Sequence, residues 1–149
     1  MISKSDVHQG CLELVKQKIT VAEKLIDSAK KASQGDTKSS AGDKYETGRA
    51  MAQQEIEKAY QQLEQASLLY KSLQQINPDK VCTSGEFGSL IETDQGLFYI
   101  SVGLGMIIVQ AQNVFAISMN APICKVLLGV AERDSFDFNG RKYQVLSVA

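Results

Sequence analysis

Apolar residues recur at steps of four and three along two stretches in the first half of the chain, and this spacing limits the fold more than any other feature. Such an average repeat of 3.5 residues is typical of the seam of a left-handed coiled coil. We therefore predict two helices that face each other along these stripes. The first stripe is Val7, Cys11, Val15, Ile19, Ala22, Ile26 and Ala29, and the second is Ala52, Ile56, Ala59, Leu63, Ala66, Tyr70 and Leu73.

The two stripes are separated by a polar segment, residues 31–43, which includes Gly35 and Gly42. Two helices with facing stripes and a polar connection predict an antiparallel hairpin over residues 1–77, with its tip near residues 34–48. Roughly 30 residues per arm, at ~1.5 Å rise per residue, give a rod on the order of 45 Å long. We expect the connection to lie at the free end of this rod.

The pattern changes at Asn77-Pro78-Asp79, because proline disfavours helix at the residue before it. Residues 81–149 have short runs typical of strands, including 88–93, 97–102, 106–110, 114–118, 136–138 and 141–148. Asn139-Gly140 favours a two-residue type I′ turn. Pro122 and Gly129 favour a short helix between them. The predicted fold class is α+β, with an antiparallel coiled-coil hairpin followed by a small antiparallel sheet that carries one short helix.

Composition excludes several classes of function. A formal net charge of -1 argues against general electrostatic binding of nucleic acid, so DNA binding is not expected. One histidine, His8, and three scattered cysteines, Cys11, Cys82 and Cys124, argue against a zinc site or a Ser/His/Asp triad. We expect His8 at the surface and the cysteines as buried thiols. The polar start and the absence of a long apolar run predict a cytoplasmic protein without membrane contact.

Two carboxylates in the tip segment are candidates for chemistry. Asp43 and Glu46 stand three residues apart near the predicted start of the second helix, where they would share one face. Carboxylate oxygens suit Mg²⁺, but two of them are too few for an octahedral site, so a second macromolecule would have to complete it. The alternative is a capping box, in which Asp43 caps the helix and Glu46 reaches back. A box from Ser40 to Asp43 would instead leave Glu46 available.

Cationic and aromatic side chains surround these carboxylates. Lys38, Lys44 and Arg49 would bind phosphates or an acidic wall, and Tyr45 would stack on a base or a partner's loop. The alternatives are a solvated helix end and packing of Tyr45 across the hairpin. The aromatic side chains of the second module line a peptide pocket in one interpretation and form the core in the other: they are Phe87, Phe98, Phe115, Phe136 and Phe138.

Residues 117–129 and 141–148 together resemble the C-terminal domain of the bacterial Gre transcript-cleavage factors, which is FKBP-like. The tip sequence Gly42-Asp43-x-x-Glu46 resembles the acidic coiled-coil tip of the same family. The resemblance spans nearly the whole chain. It implies that RNA polymerase is the partner, with the coiled coil in its secondary channel and Asp43 and Glu46 beside the nascent RNA 3′ end. There the pair would share a Mg²⁺ with the polymerase and help it cut backtracked RNA.

The resemblance also implies that the chain is an accessory factor, with no cofactor of its own and no enzymatic activity of its own. After Glu46 the chain continues Thr47-Gly48-Arg49-Ala50, where the family has Asn, an acidic residue and Tyr. Three functions therefore stay open: a cleavage-stimulating factor, a non-catalytic regulator that occupies the secondary channel, and an FKBP-like peptide-binding or prolyl-isomerase module.

Overall fold

The computed structural model describes residues 2–35 and 42–149, and among these it describes all side chains except those of 33–35 and 42–47. Two long helices precede a six-stranded sheet, and one short helix interrupts the strand order. In chain order the elements are α1 (Lys4–Gly35), α2 (Gly42–Gln74), β1 (Leu90–Thr93), β2 (Gly96–Ser101), β3 (Gly105–Val109), β4 (Gln112–Ser118), α3 (Cys124–Leu127), β5 (Ser135–Phe138) and β6 (Arg141–Val148). The predicted α+β fold class is confirmed.

Helix α1 begins at a capping box. The Ser3 hydroxyl accepts a 3.1 Å hydrogen bond from the Asp6 amide, and the Ser3 amide donates to the Asp6 carboxylate at 3.2 Å. These bonds satisfy amide groups that have no partner within the helix. Hydrogen bonds from the Ser3 side chain and from the Ser3 amide also hold the pKa of the Asp6 carboxyl below its usual value. This cap was not predicted from the sequence.

By its contacts the chain divides into two compact units. The sheet unit contains Met1–Glu13 and Lys71–Ala149, and the hairpin unit contains Leu14–Tyr70. This division cuts both long helices, whereas the predicted modules 1–77 and 81–149 divide the chain between α2 and β1. The first turns of α1 and the last turn of α2 therefore belong with the sheet.

The hairpin unit has the predicted seam. Every residue of the two predicted stripes within this unit is buried or half-buried, and the alanines at positions 22, 29, 52, 59 and 66 are all buried. The Lys30 ammonium donates to the Tyr60 hydroxyl at 3.1 Å, and the Lys16 ammonium lies 6.0 Å from the centre of the Tyr70 ring. Because the later residue of α1 meets the earlier residue of α2, the helices are antiparallel.

The sheet has the strand order β3-β4-β2-β1-β6-β5. One pair departs from the predicted antiparallel sheet, because β2 and β4 are parallel, with Leu97 opposite Val114. The reason is the strand order. The chain passes from β2 to β3 at the sheet edge, and β4 then returns antiparallel to β3 in the position between β3 and β2, so that it runs in the same direction as β2. The Asn139-Gly140 turn between β5 and β6 has φ angles of 52° and 76°, which confirms the predicted type I′ turn.

One face of the sheet carries the main core, which includes Cys124 and Leu127 of α3. The predicted core role of the aromatic side chains is confirmed for most of them. Phe98 stacks on Phe115 at 5.4 Å between ring centres, and Phe136 stacks on Tyr143 at 4.9 Å. These rings pack on one another and on the apolar strand residues, which favours the core interpretation over a peptide pocket.

The opposite face of the sheet packs against the start of α1. A Cβ atom built on Gly10 would lie 2.9 Å from the Val109 Cγ2 atom, so α1 and β3 approach closely here. His8 is buried on this face with an exposed fraction of 6%, so the prediction that it lies at the surface is wrong. Its position follows from a hydrogen bond of 2.7 Å between its Nδ1 atom and the Tyr99 hydroxyl.

Candidate functional site

The predicted tip residues lie where the two long helices are joined along the chain. Helix α1 ends at Gly35 and α2 begins at Gly42, close to the predicted start of the second helix. Asp43, Lys44, Tyr45 and Glu46 therefore belong to the first turns of α2. Their side chains are outside the described part of the structure, and Lys38 lies outside the described residues altogether. The metal-binding and capping interpretations of Asp43 and Glu46 both stay predictions.

Arg49 is the one predicted partner-binding residue whose side chain is described, and it is exposed on α2. It follows Glu46 by three residues, a separation at which helix side chains are neighbours. Among the side chains that the structure describes, no group of three or more His, Cys, Asp or Glu could hold a metal ion.

A polar cluster in the sheet unit was not predicted from the sequence. It joins Lys4, at the start of α1, to the segment that follows α2. The Lys4 ammonium, with only 7% of the residue exposed, donates to the Lys80 carbonyl oxygen at 2.5 Å and approaches the Cys82 sulfur at 3.5 Å. The Cys82 thiol donates to Glu86 at 3.1 Å, and Glu86 pairs with the Lys80 ammonium at 2.9 Å.

The electrostatics of this cluster favour a structural role. Burial, followed by the hydrogen bond to Glu86, raises the pKa of the Cys82 thiol, although the positive charge of Lys4 acts in the opposite direction. The Lys80 ammonium holds the pKa of the Glu86 carboxyl below its usual value. A thiol with a raised pKa is mostly protonated near neutral pH and is a poor nucleophile. The cluster therefore satisfies a buried ammonium and fastens the segment after α2 to the start of α1.

In the other buried titratable groups, burial likewise shifts the pKa so that the uncharged form is favoured. Burial lowers the pKa of His8, which favours its neutral form, and raises the pKa of Tyr99. Burial also raises the pKa of the Cys11 thiol to about 11. All three cysteines are free and buried, as predicted. The one sequence signal for the burial of His8 is its spacing. His8 lies seven residues before Val15, so it shares a helix face with a residue of the first stripe.

No family model matches the sequence, and a search of curated proteins finds no match. The chain is similar to a solved structure described as "Structure of the transcription factor Gfh1", at 19% identity and a TM-score of 0.37, over 93% of each chain. A likeness at this level establishes neither a family nor a function. None of the described helices is both long enough and apolar enough to cross a membrane.

Proposed function

We propose that this chain is a transcription factor of the Gre kind, which acts on RNA polymerase through its secondary channel. The hairpin would enter the channel, and Asp43 and Glu46 would reach the active-site Mg²⁺ and stimulate cleavage of backtracked RNA. The observation that carries this proposal is the hairpin itself: two long antiparallel helices, with both carboxylates in the first turns after the connection. The resemblance of residues 117–129 and 141–148 to the C-terminal domain of Gre factors supports the choice of partner.

The donor set fits a shared metal better than a resident one. Two carboxylates three residues apart can offer oxygen ligands to one hard cation, while Mg²⁺ prefers six ligands in an octahedron. The polymerase would supply the remaining ligands, and the metal would activate the attacking water. Asp43 and Glu46 would then act by holding that metal, so they are metal-stabilising residues in trans.

The test is cleavage of RNA in backtracked elongation complexes with Mg²⁺ present. The full chain should release short 3′ fragments, and Asp43→Asn or Glu46→Gln should slow release at least about tenfold, as expected when a metal loses a ligand contact. Glu64→Gln is the matched control, because Glu64 is an exposed carboxylate on α2, roughly 27 Å further along the helix axis. If Asp43→Asn and Glu46→Gln are as active as the wild type, the assigned chemistry is wrong.

Arg49 favours a second candidate function, a regulator that occupies the channel without stimulating cleavage. A guanidinium beside the carboxylates would compete with Mg²⁺ for them, since Arg binds carboxylates strongly. This candidate predicts that the chain displaces an authentic cleavage factor from polymerase while releasing no RNA fragments. It also predicts that Arg49→Asn releases fragments, with Lys71→Gln as a charge-matched control, since Lys71 is an exposed cation elsewhere on α2. Failure of the chain to bind polymerase would contradict both candidates.

A further inference from the structure

A groove runs along one side of the hairpin unit, away from the tip. It consists of two adjoining hollows of about 500 and 280 Å³ that share Gln62. Its floor includes Ala59 and Ala66, two of the buried seam alanines. We call this feature the side groove.

Apolar residues of α1 form one wall of the side groove. Val21 and Leu25 are 56% and 48% exposed, and Leu14 is half-buried. With Lys18 they recur at steps of four, three and four. On α2 the opposite wall repeats every seven residues through Glu55, Gln62 and Leu69. The hairpin therefore has a second set of stripes at coiled-coil spacing, in addition to the seam, and such stripes are suited to packing against a third helix.

The charges around the groove indicate which kind of helix it would accept. Lys18 stands on one wall and Lys58 on the other, while Glu55 is the only acidic residue of the lining. Among the described residues, neither lysine forms an ion pair with a carboxylate, whereas Lys31 and Lys80 do. Two unpaired ammonium groups that flank an apolar floor match carboxylates placed beside an apolar stripe.

The same charges disfavour a second copy of this chain as the occupant. A two-fold interface places the same patch on both subunits. Two side grooves face to face would bring four lysines together with only two glutamates, which is unfavourable where the charges are partly desolvated.

We propose that the side groove binds an amphipathic α-helix of a partner protein, with its apolar stripe on Val21, Leu25 and Ala66 and its carboxylates paired with Lys18 and Lys58. This site is separate from the tip carboxylates and does not depend on their chemistry. It gives the hairpin a lateral contact that selects an acidic helical partner.

The test uses the full chain and two synthetic helical peptides of about 22 residues with leucine at heptad positions a and d. One peptide has glutamate at e and g, and the other has lysine there. In a fluorescence anisotropy titration, the glutamate peptide should bind at least about tenfold more tightly than the lysine peptide. The double variant K18E/K58E should reverse this preference, because both flanking charges change sign.

Val21→Asp should weaken binding of the glutamate peptide at least about tenfold, because a carboxylate would then lie on the apolar wall. Leu68→Asp is the matched control, since Leu68 is 57% exposed on α2 but does not line the groove. Circular dichroism checks that each variant is folded, and the preference of the wild type between the peptides needs no variant at all. The proposal would be overturned if the wild type bound both peptides with equal affinity, or if it bound neither peptide. A wild-type dimer that Val21→Asp dissociates would also overturn it, because the occupant would then be a second copy.

Discussion

A Cβ atom placed on Gly85 would lie 1.9 Å from the Leu127 carbonyl oxygen, at the end of α3. The backbone of Gly85 also makes two hydrogen bonds of 2.8 Å there: its amide donates to Val130, and its carbonyl accepts from Gly129. The chain therefore runs against the end of α3 with space for a hydrogen atom only. At this position close approach, rather than conformational freedom, requires glycine.

We expect Gly85→Ala to lower the free energy of unfolding by about 3 kcal/mol or more, because the overlap is with a backbone atom that cannot rotate away. Gly103→Ala is the control, since its Cβ would meet nothing closer than the Ser118 Cβ at 3.9 Å. Urea denaturation of both variants measures the difference. A Gly85→Ala variant as stable as Gly103→Ala would contradict the packing of this segment on α3.

Stability should depend on pH through His8. Its folded pKa lies below its usual value, so the unfolded chain takes up a proton at a higher pH than the folded chain. The contribution is fully present above the unfolded pKa and is lost as the pH falls towards the folded pKa, by about tenfold in the unfolding constant per pH unit. We expect the stability advantage of the wild type over His8→Gln to shrink as the pH falls below the ordinary histidine pKa of about 6.5. The prediction would be contradicted if the free energy of unfolding, measured by urea denaturation, changed with pH by the same amount in the two proteins.

At the residue scale the sequence predicted the wrong environment for His8 and gave no role to Lys4. Both side chains are buried by partners far along the chain, since His8 meets Tyr99 and Lys4 meets Lys80 and Cys82. A hydrogen bond between residues that are about 80 to 90 positions apart leaves no local pattern. The tip carboxylates are the opposite case, because their spacing is a local pattern that is visible in the sequence.

At the scale of elements, the close seam of the hairpin depends on alanine at every seventh position of α2, namely 52, 59 and 66. We expect Ala59→Leu to destabilise the hairpin by about 1–3 kcal/mol, because added methylene groups in a well-packed seam force the helices apart. Ala50→Leu is the control, since Ala50 is exposed on the same helix. Urea denaturation followed by circular dichroism measures both. A neutral Ala59→Leu would show that the seam is loosely packed.

The sequence predicted both long helices and all six strands, because they leave local signals. These signals are the helical stripes, the short runs typical of strands and the Asn139-Gly140 turn. The turn between β3 and β4 was missed: Gln110 and Ala111 occupy it with φ angles of 48° and 64°. These residues rarely adopt such angles, so the sequence there reads as strand and loop. The parallel pairing of β2 with β4 was also missed, because strand order depends on long-range contacts.

At the scale of the whole molecule, one face of the sheet is covered by a segment from the N-terminal end of the sequence. Residues Met1–Glu13 belong to the sheet unit, where His8 bonds to Tyr99 and Gly10 lies against Val109. The sheet unit is therefore discontinuous in sequence, and the predicted boundary at Asn77 would leave one face of the sheet uncovered. A fragment that begins at Val81 tests this.

We expect residues 81–149 alone to be less stable than the sheet unit of the full chain by about 3 kcal/mol or more, since at least two large side chains lose their cover. Tyr99 and Val109 would then be exposed, and a dye that binds apolar surface should report it. The control keeps residues 1–16 and 70–149 and replaces the hairpin with a short Gly/Ser linker, which is feasible because the Lys16 ammonium lies 6.0 Å from the Tyr70 ring. This control should retain the stability of the sheet unit in urea denaturation. If the fragment is as stable as this control, the first turns of α1 contribute nothing to the stability of the sheet. The isolated residues 81–149 could then be tested directly for peptide binding.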